Sequence, residues 1–323
     1  MRFIIYGVGA IGGTLAAALS LAGESVVGIA RGAQLEAIRR DGLLLRTPER
    51  QSRVRFECVG HPREMRFGDD DVVVLTVKSQ DTEAALLALR AAGVKDQPVL
   101  CAQNGIANER AALRLFANVL GVTVMMPADY VTAGEVSAFG TPRHGIFEVG
   151  RYPTGRDETV AAICAALERA NFAAFAEASV MESKYGKLLL NLRNIIEASV
   201  GKGPEADELY GRAGSEAEAA YRAAGIAWRD VGRDSARREA FMRPAPINGA
   251  MRTGGSSTQS LQRGAGSIET DFLNGEIVLL GRLHGVATPV NAGLCRVAQT
   301  MVVEGRAPGT LAIGELERII AAG

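Results

Sequence analysis

The sequence predicts an α/β protein: a Rossmann-like, doubly wound N-terminal domain followed by an all-α C-terminal domain. Three observations carry that expectation. The apolar run Arg2-Phe3-Ile4-Ile5-Tyr6 leads into Gly7-Val8-Gly9-Ala10-Ile11-Gly12, and a good helix former follows. Strand-like and helical patterns then alternate to about residue 178, as in a parallel α/β domain. Beyond that point the apolar residues recur with the period of long helices. The expected boundaries are 1–178 for the nucleotide-binding domain and 179–323 for the helical one.

Each element has a local reason. Residues 24–30 read as the second strand and 34–41 as a short helix, and 42–58 hold a hairpin-like excursion. The Val-rich run 70–78 is typical of a strand buried on both faces. A helix over 80–92, a strand over 98–102, a helix over 108–115 and a strand over 119–126 follow. Two further strands, 145–150 and 172–176, flank a helix over 159–169. In the second half, 181–199, 205–224, 268–284 and 290–304 read as helices. Loops fall at Gly201-Lys202-Gly203-Pro204, Pro244-Ala245-Pro246 and Gly254-Gly255-Ser256-Ser257.

The opening turn has the chemistry of a dinucleotide site. Gly7 permits the tight turn, Gly9 lets backbone approach a pyrophosphate, and Gly12 lets the helix lie close on the strand. The helix start offers unpaired N–H groups and partial positive charge to phosphates. Where an NAD enzyme places an acid at the end of its second strand, this chain has Ala30-Arg31-Gly32. A guanidinium there suits a 2′-phosphate, so NADP(H) is the expected cofactor. Arg31 as a plain solvated turn residue is the bland alternative.

Composition narrows the class. The chain has 323 residues, 47% hydrophobic and 22% charged, with 36 basic and 36 acidic side chains. That balance gives no electrostatic case for nucleic acid or an anionic membrane. No apolar stretch approaches the ~20 residues that span a bilayer, and the start does not read as a signal peptide. Cys58, Cys101, Cys164 and Cys295 are scattered and read as buried free thiols of a reducing, cytoplasmic compartment. His61, His144 and His284 have no ligand spacing, so no metal site is expected and all three are read as surface or loop residues. A homodimer is carried as an expectation that nothing in the sequence fixes.

The second half has polar residues where an apolar helix should not have them. Lys187, Asn191 and Asn194 stand at i, i+4 and i+7 among Leu and Ile, and at about 100° per residue they share one side of a helix. An ammonium and two amides there are costly to bury unless something binds them. The functional reading is a lysine poised to protonate a developing alkoxide. The alternative is a lysine that snorkels to water, with asparagines serving as loop caps. Ser267 reads as an N-cap, and Glu269 as either a first-turn acid or a functional carboxylate.

Taken together these residues resemble the ketopantoate reductase (2-dehydropantoate 2-reductase) family, over nearly the whole chain. Gly7, Gly9, Gly12 and Arg31 resemble its NADPH site. Lys78 in Val77-Lys78-Ser79-Gln80 is similar to its strand-end lysine, which contacts the cofactor. Asn104 in Gln103-Asn104-Gly105 is similar to the asparagine near nicotinamide and substrate. Lys187 with Asn191 resembles its catalytic Lys-x-x-x-Asn, Ser257 its substrate-binding serine, and Glu269 its helical glutamate. The resemblance implies NADPH-dependent reduction of a 2-keto acid, foremost 2-dehydropantoate to pantoate, on the way to pantothenate. Lys187 and Glu269 are then the catalytic pair, with Asn104, Asn191, Asn194 and Ser257 on the substrate. Two departures touch the substrate side. The family's asparagine at lysine plus eight is Ile195 here, with Asn194 just before it, and Ser-Ser-Met-Leu-Gln-Asp becomes Ser-Ser-Thr-Gln-Ser-Leu.

Two rival readings are kept. A β-hydroxyacid dehydrogenase or imine-reducing relative shares the domain order and a Lys-x-x-x-Asn, but its lysine helix has a glycine-rich lead-in where Glu182-Ser183-Lys184-Tyr185 stands here. A non-catalytic NADP-sensing regulator has no need of Lys187 and Glu269.

Overall fold

The computed structural model describes residues 1–232, 235–264 and 266–322. The chain opens with β1 (Arg2–Tyr6), α1 (Ala10–Leu21), β2 (Ser25–Ile29) and α2 (Gly32–Asp41). An antiparallel pair, β3 (Leu43–Arg46) and β4 (Gln51–Val54), precedes β5 (Glu57–Val59). Then come β6 (Asp71–Leu75), a 3₁₀ turn (Ser79–Asp81), α3 (Thr82–Ala91), β7 (Val99–Cys101), α4 (Asn108–Leu113) and β8 (Val119–Met125). Next are β9 (Ala128–Asp129), β10 (Glu135–Ala138), β11 (Gly140–Pro142), β12 (Ile146–Arg151), α5 (Glu158–Arg169) and β13 (Ala173–Ala176).

Eight strands form the main sheet in the order β13-β12-β8-β7-β6-β1-β2-β5, all pairs parallel except β8 with β12. The period of two in β1 explains the double winding. Phe3 and Ile5 join one buried cluster with Leu15 and Phe147, and Ile4 joins another with Leu86 and Leu89. Every residue of β6 is buried, as its Val-rich run requires.

The remaining elements are α6 (Val180–Asn191), α7 (Arg193–Val200), α8 (Pro204–Ala223), α9 (Ala236–Phe241), β14 (Met242–Pro244) and α10 (Ser256–Gln262). A 3₁₀ turn (Glu269–Phe272), α11 (Asn274–His284), α12 (Pro289–Val303) and α13 (Ile313–Ala321) complete the chain. The chain divides into two units. One holds 1–103, 108–184 and 231–252; the other holds 104–107, 185–230 and 253–323. Among the described residues the second unit contains helices and no strand.

Three local expectations are corrected. The run 181–199 is two helices, because the ladder breaks at Leu192, whose N–H is shared between Leu188 O (3.2 Å) and Leu189 O (3.3 Å). Asn274 Nδ2 donates to Leu192 O at 3.4 Å and to Asn291 Oδ1 at 3.0 Å, so a buried amide network occupies the break. Ser267 is not at an N-cap position: Ile268 precedes the 3₁₀ turn and Leu273 precedes α11, which begins at Asn274. Residues 231–252 return to the first unit, where β14 pairs antiparallel with β11. Arg237 bonds Glu148 and Glu177 there and lies 4.0 Å from the centroid of the Phe175 ring.

His144 lies in the loop between β11 and β12, one of its two expected settings, but not at the surface. It is buried, with its ring centroid 5.6 Å from that of Phe172 in an edge-to-face arrangement. Burial holds its pKa below the ordinary value; Glu49 pulls the other way, and Arg50 and Arg143 add to the lowering. An unfolded histidine takes its proton near pH 6.5. His144 therefore contributes stability that is present above that pH and is lost as pH falls through its lower folded value. His144→Phe is expected to lose less Tm than the native chain between pH 7.5 and pH 5. Equal losses would remove His144 as the source.

Candidate active site

Gly7 has φ +107°, a conformation L side chains rarely adopt. A Cβ there would lie 2.7 Å from Val77 N, and one on Gly12 would lie 2.1 Å from Gly7 O and 2.4 Å from Thr76 Oγ1. A Cβ on Gly9 would meet no described atom within 4 Å. Gly9 is the N-cap of α1 and has no side chain to cap it, and the first turn carries no acid. The turn thus fits a diphosphate: the open space beside Gly9 faces an uncapped helix start at Ala10 and Ile11, while the Gly9 N–H donates to Gly7 O at 2.9 Å. Val8 is buried, and its carbonyl accepts from Gln34 Nε2 at 2.8 Å, while Gln34 Oε1 accepts from Gly134 N at 2.7 Å. Gln34 fixes the peptide of the turn, and no local pattern announced it.

Arg31 follows β2 with its side chain 85% exposed, and its guanidinium is 3.4 Å from Asp81. Lys78 is half-buried just before the 3₁₀ turn that carries Asp81. In Gln103-Asn104-Gly105 the three residues divide the work. Gln103 Nε2 donates to Val77 O (2.8 Å) and Thr82 Oγ1 (2.7 Å). Gly105 has φ +80°, and a Cβ there would lie 2.8 Å from Phe272 O. Asn104, between them, is half-buried.

In the second unit, Lys187 is half-buried on α6, and Asn191, one turn on, is buried. Asn191 Nδ2 has no hydrogen-bond partner among the described residues. Beyond the break, Asn194 Oδ1 would lie 3.2 Å from a Cβ on Gly255, so that glycine admits the carboxamide beside the start of α10. Ile195, at lysine plus eight, is wholly buried core. Ser257 is buried in the first turn of α10, and its neighbour Ser256 Oγ donates to Glu269 Oε2 at 3.3 Å. Glu269 is itself buried, next to Thr270, whose buried Oγ1 has no partner among the described residues. The sequence reading missed Thr270; only its place beside Glu269 pointed to it. Among the described residues of this set, Asn191 Nδ2 and Thr270 Oγ1 are the buried polar atoms left without a partner.

The cysteines offer no competing nucleophile. All four are free, and burial pushes Cys58 and Cys164 up to about 11 and Cys295 up to about 12. No described helix is long and apolar enough to cross a membrane.

Residues 3–154 match the family model described as ketopantoate reductase PanE/ApbA, and residues 179–302 match its C-terminal counterpart. The 2-dehydropantoate 2-reductase of Pyrococcus horikoshii is 28% identical over 297 residues, covering 90% of this chain and 94% of that one. Among solved structures, a PanE/ApbA family ketopantoate reductase from Ralstonia eutropha JMP134 superposes with a TM-score of 0.79 at 26% identity, covering 95% of this chain and 100% of that one. A D-mandelate dehydrogenase solved with NADH and anilino(oxo)acetate has a TM-score of 0.78 at 21% identity, covering 95% and 100%, a likeness of fold.

Proposed function

The chain belongs to the ketopantoate reductase family, and from that premise we propose that it reduces a 2-keto acid to the 2-hydroxy acid with NADPH, 2-dehydropantoate to pantoate before others. Oxidoreduction at a CH–OH group is the family's chemistry. The observation that carries the finer reading is Asn191, a buried amide with unspent donor capacity one helical turn from Lys187.

When bound, the reduced nicotinamide supplies the hydride to the keto carbon. Ala10 and Ile11 hold the diphosphate through backbone N–H groups, and Gly9 leaves room for it; Lys78 and Asn104 orient the rest of the cofactor. Lys187 gives its ammonium proton to the oxygen that becomes the hydroxyl, and recovers it from water after release. Asn191, Asn194 and Ser257 hold the carboxylate and hydroxyl ends, so the reacting groups are placed before the barrier is crossed. Glu269, joined to Ser256, orients Lys187 or a substrate hydroxyl. Asn194 takes the part of the family asparagine that Ile195 displaces. Free thiols and balanced charge fit work in the cytoplasm.

The deciding experiment is NADPH oxidation, followed by absorbance, with a panel of 2-keto acids. Turnover is expected with 2-dehydropantoate or a close analogue; binding of NADPH without turnover of any member would favour a sensor. Cofactor choice has its own test. Arg31→Ala is expected to weaken NADPH by about tenfold to a hundredfold, as loss of charge-assisted bonds to a phosphate does, and to leave NADH within twofold. Equal losses on both would remove Arg31 from 2′-phosphate recognition.

A further inference from the structure

Three residues before Lys187, α6 carries a second lysine for which the reaction has no use. Lys184 is 2% exposed and Glu109 on α4 is 0% exposed, and their charged atoms are 2.6 Å apart. The same ammonium donates to Gln103 O at 2.9 Å, Val122 O at 3.2 Å and Cys101 O at 3.4 Å. One residue earlier, the buried hydroxyls of Ser183 and Thr123 share a hydrogen bond of 2.7 Å. Two successive residues of α6 are thus tied by directional polar contacts to β8, and Lys184 reaches the end of β7 as well.

Stability alone does not account for this arrangement. A buried ion pair contributes little relative to apolar side chains of the same volume, because desolvation offsets the Coulombic gain. What it adds is direction. Three carbonyls accept at fixed points beside the paired carboxylate, whereas an apolar side chain tolerates a shift along the helix. The acceptors also bracket one short segment: Gln103 immediately precedes Asn104–Ala107, and Glu109 lies two residues past it. Gly105 in that segment packs against Phe272 O.

We propose that the buried Lys184–Glu109 pair is a positioning clamp, holding α6 in register with both ends of the Asn104–Ala107 segment and so fixing Lys187 and Asn104 for proton delivery. Its catalytic part rests on the reductase reading above. Lys184 touches no substrate; it acts through the helix that carries Lys187.

The test is the double variant Lys184→Met with Glu109→Leu, which keeps the volume and removes the charges together. The clamp predicts at least a 30-fold loss in kcat, with Tm close to native and with KM and the NADPH Kd within threefold. It also predicts faster amide exchange over 104–107 and 187–191. A folded double variant with kcat within threefold of native, or with unchanged exchange in both segments, overturns it. Should the double variant not fold, Lys184→Arg serves, since a planar fork cannot occupy the same three-carbonyl cradle; it is read by the same thresholds. If the native chain reduces none of the keto acids tested, the functional reading fails by itself, and the exchange measurement still decides the clamp.

Discussion

Lys187→Ala is expected to lower kcat for 2-keto acid reduction by about 10²–10⁴-fold, the usual contribution of a positioned general acid. Lys187 is half-buried on α6, with a buried carboxamide at Asn191 one turn on. A group that acts only as charge accumulates on the oxygen contributes in the transition state, so kcat and kcat/KM should fall together while KM moves little. NADPH affinity should be unchanged, because the glycine turn belongs to the other unit. Lys187→Arg keeps a cation but is a far weaker proton donor, and it should recover only a small part of the loss. Steady-state rates and a fluorescence titration of NADPH on the same preparations make the comparison. Turnover of the alanine variant within about tenfold of native, ~1.4 kcal/mol of barrier, would remove Lys187 as the donor.

The parts of the molecule written in short-range pattern were legible. A strand, a glycine turn and a helix occupy a dozen residues, and the Val-rich run 71–75 declares a strand buried on both faces. The features not legible depend on contacts far apart in sequence. Glu109 and Lys184 neutralise each other across two elements, and nothing local distinguishes Lys184 from Lys187, which shares its helix. The return of 231–252 to the first unit rests on β14 meeting β11 about a hundred residues earlier. Helical periodicity runs smoothly through Leu192, because apolar spacing records the buried face and not the ladder; the break shows only where Asn274 reaches Leu192 O. For the site itself, residue type and spacing nominated Lys187, Asn191, Glu269 and the glycines. Gln34 and Thr270 lay outside any such pattern, since each draws its meaning from a neighbour supplied by tertiary packing.

Gly9→Ala and Gly12→Ala are expected to fail in opposite ways, although they alter the same turn by the same methyl group. At Gly12 the added Cβ would lie 2.1 Å from a backbone oxygen and 2.4 Å from Thr76 Oγ1, so helix α1 must move off β1. That is overpacking against main chain, with a cost of about 3 kcal/mol or more. Thermal unfolding should shift down by roughly 5–10 °C. Cofactor affinity should fall as well, because the helix start moves with the helix. At Gly9 the backbone is extended, with φ −94° and ψ −151°, and the new methyl would meet no described atom within 4 Å. The folded chain should tolerate it, with Tm within about 2 °C, since surface substitutions of this kind change stability by under ~0.5 kcal/mol. The open space at Gly9 is, on the reading above, where the diphosphate lies, so NADPH should bind about tenfold to a hundredfold more weakly, ~1.4–2.8 kcal/mol. Melting curves with and without NADPH separate the two outcomes. Gly9→Ala should match the native curve in the absence of cofactor and lose most of the NADPH-induced rise. A native-sized rise in that variant would mean that the diphosphate does not lie on the turn.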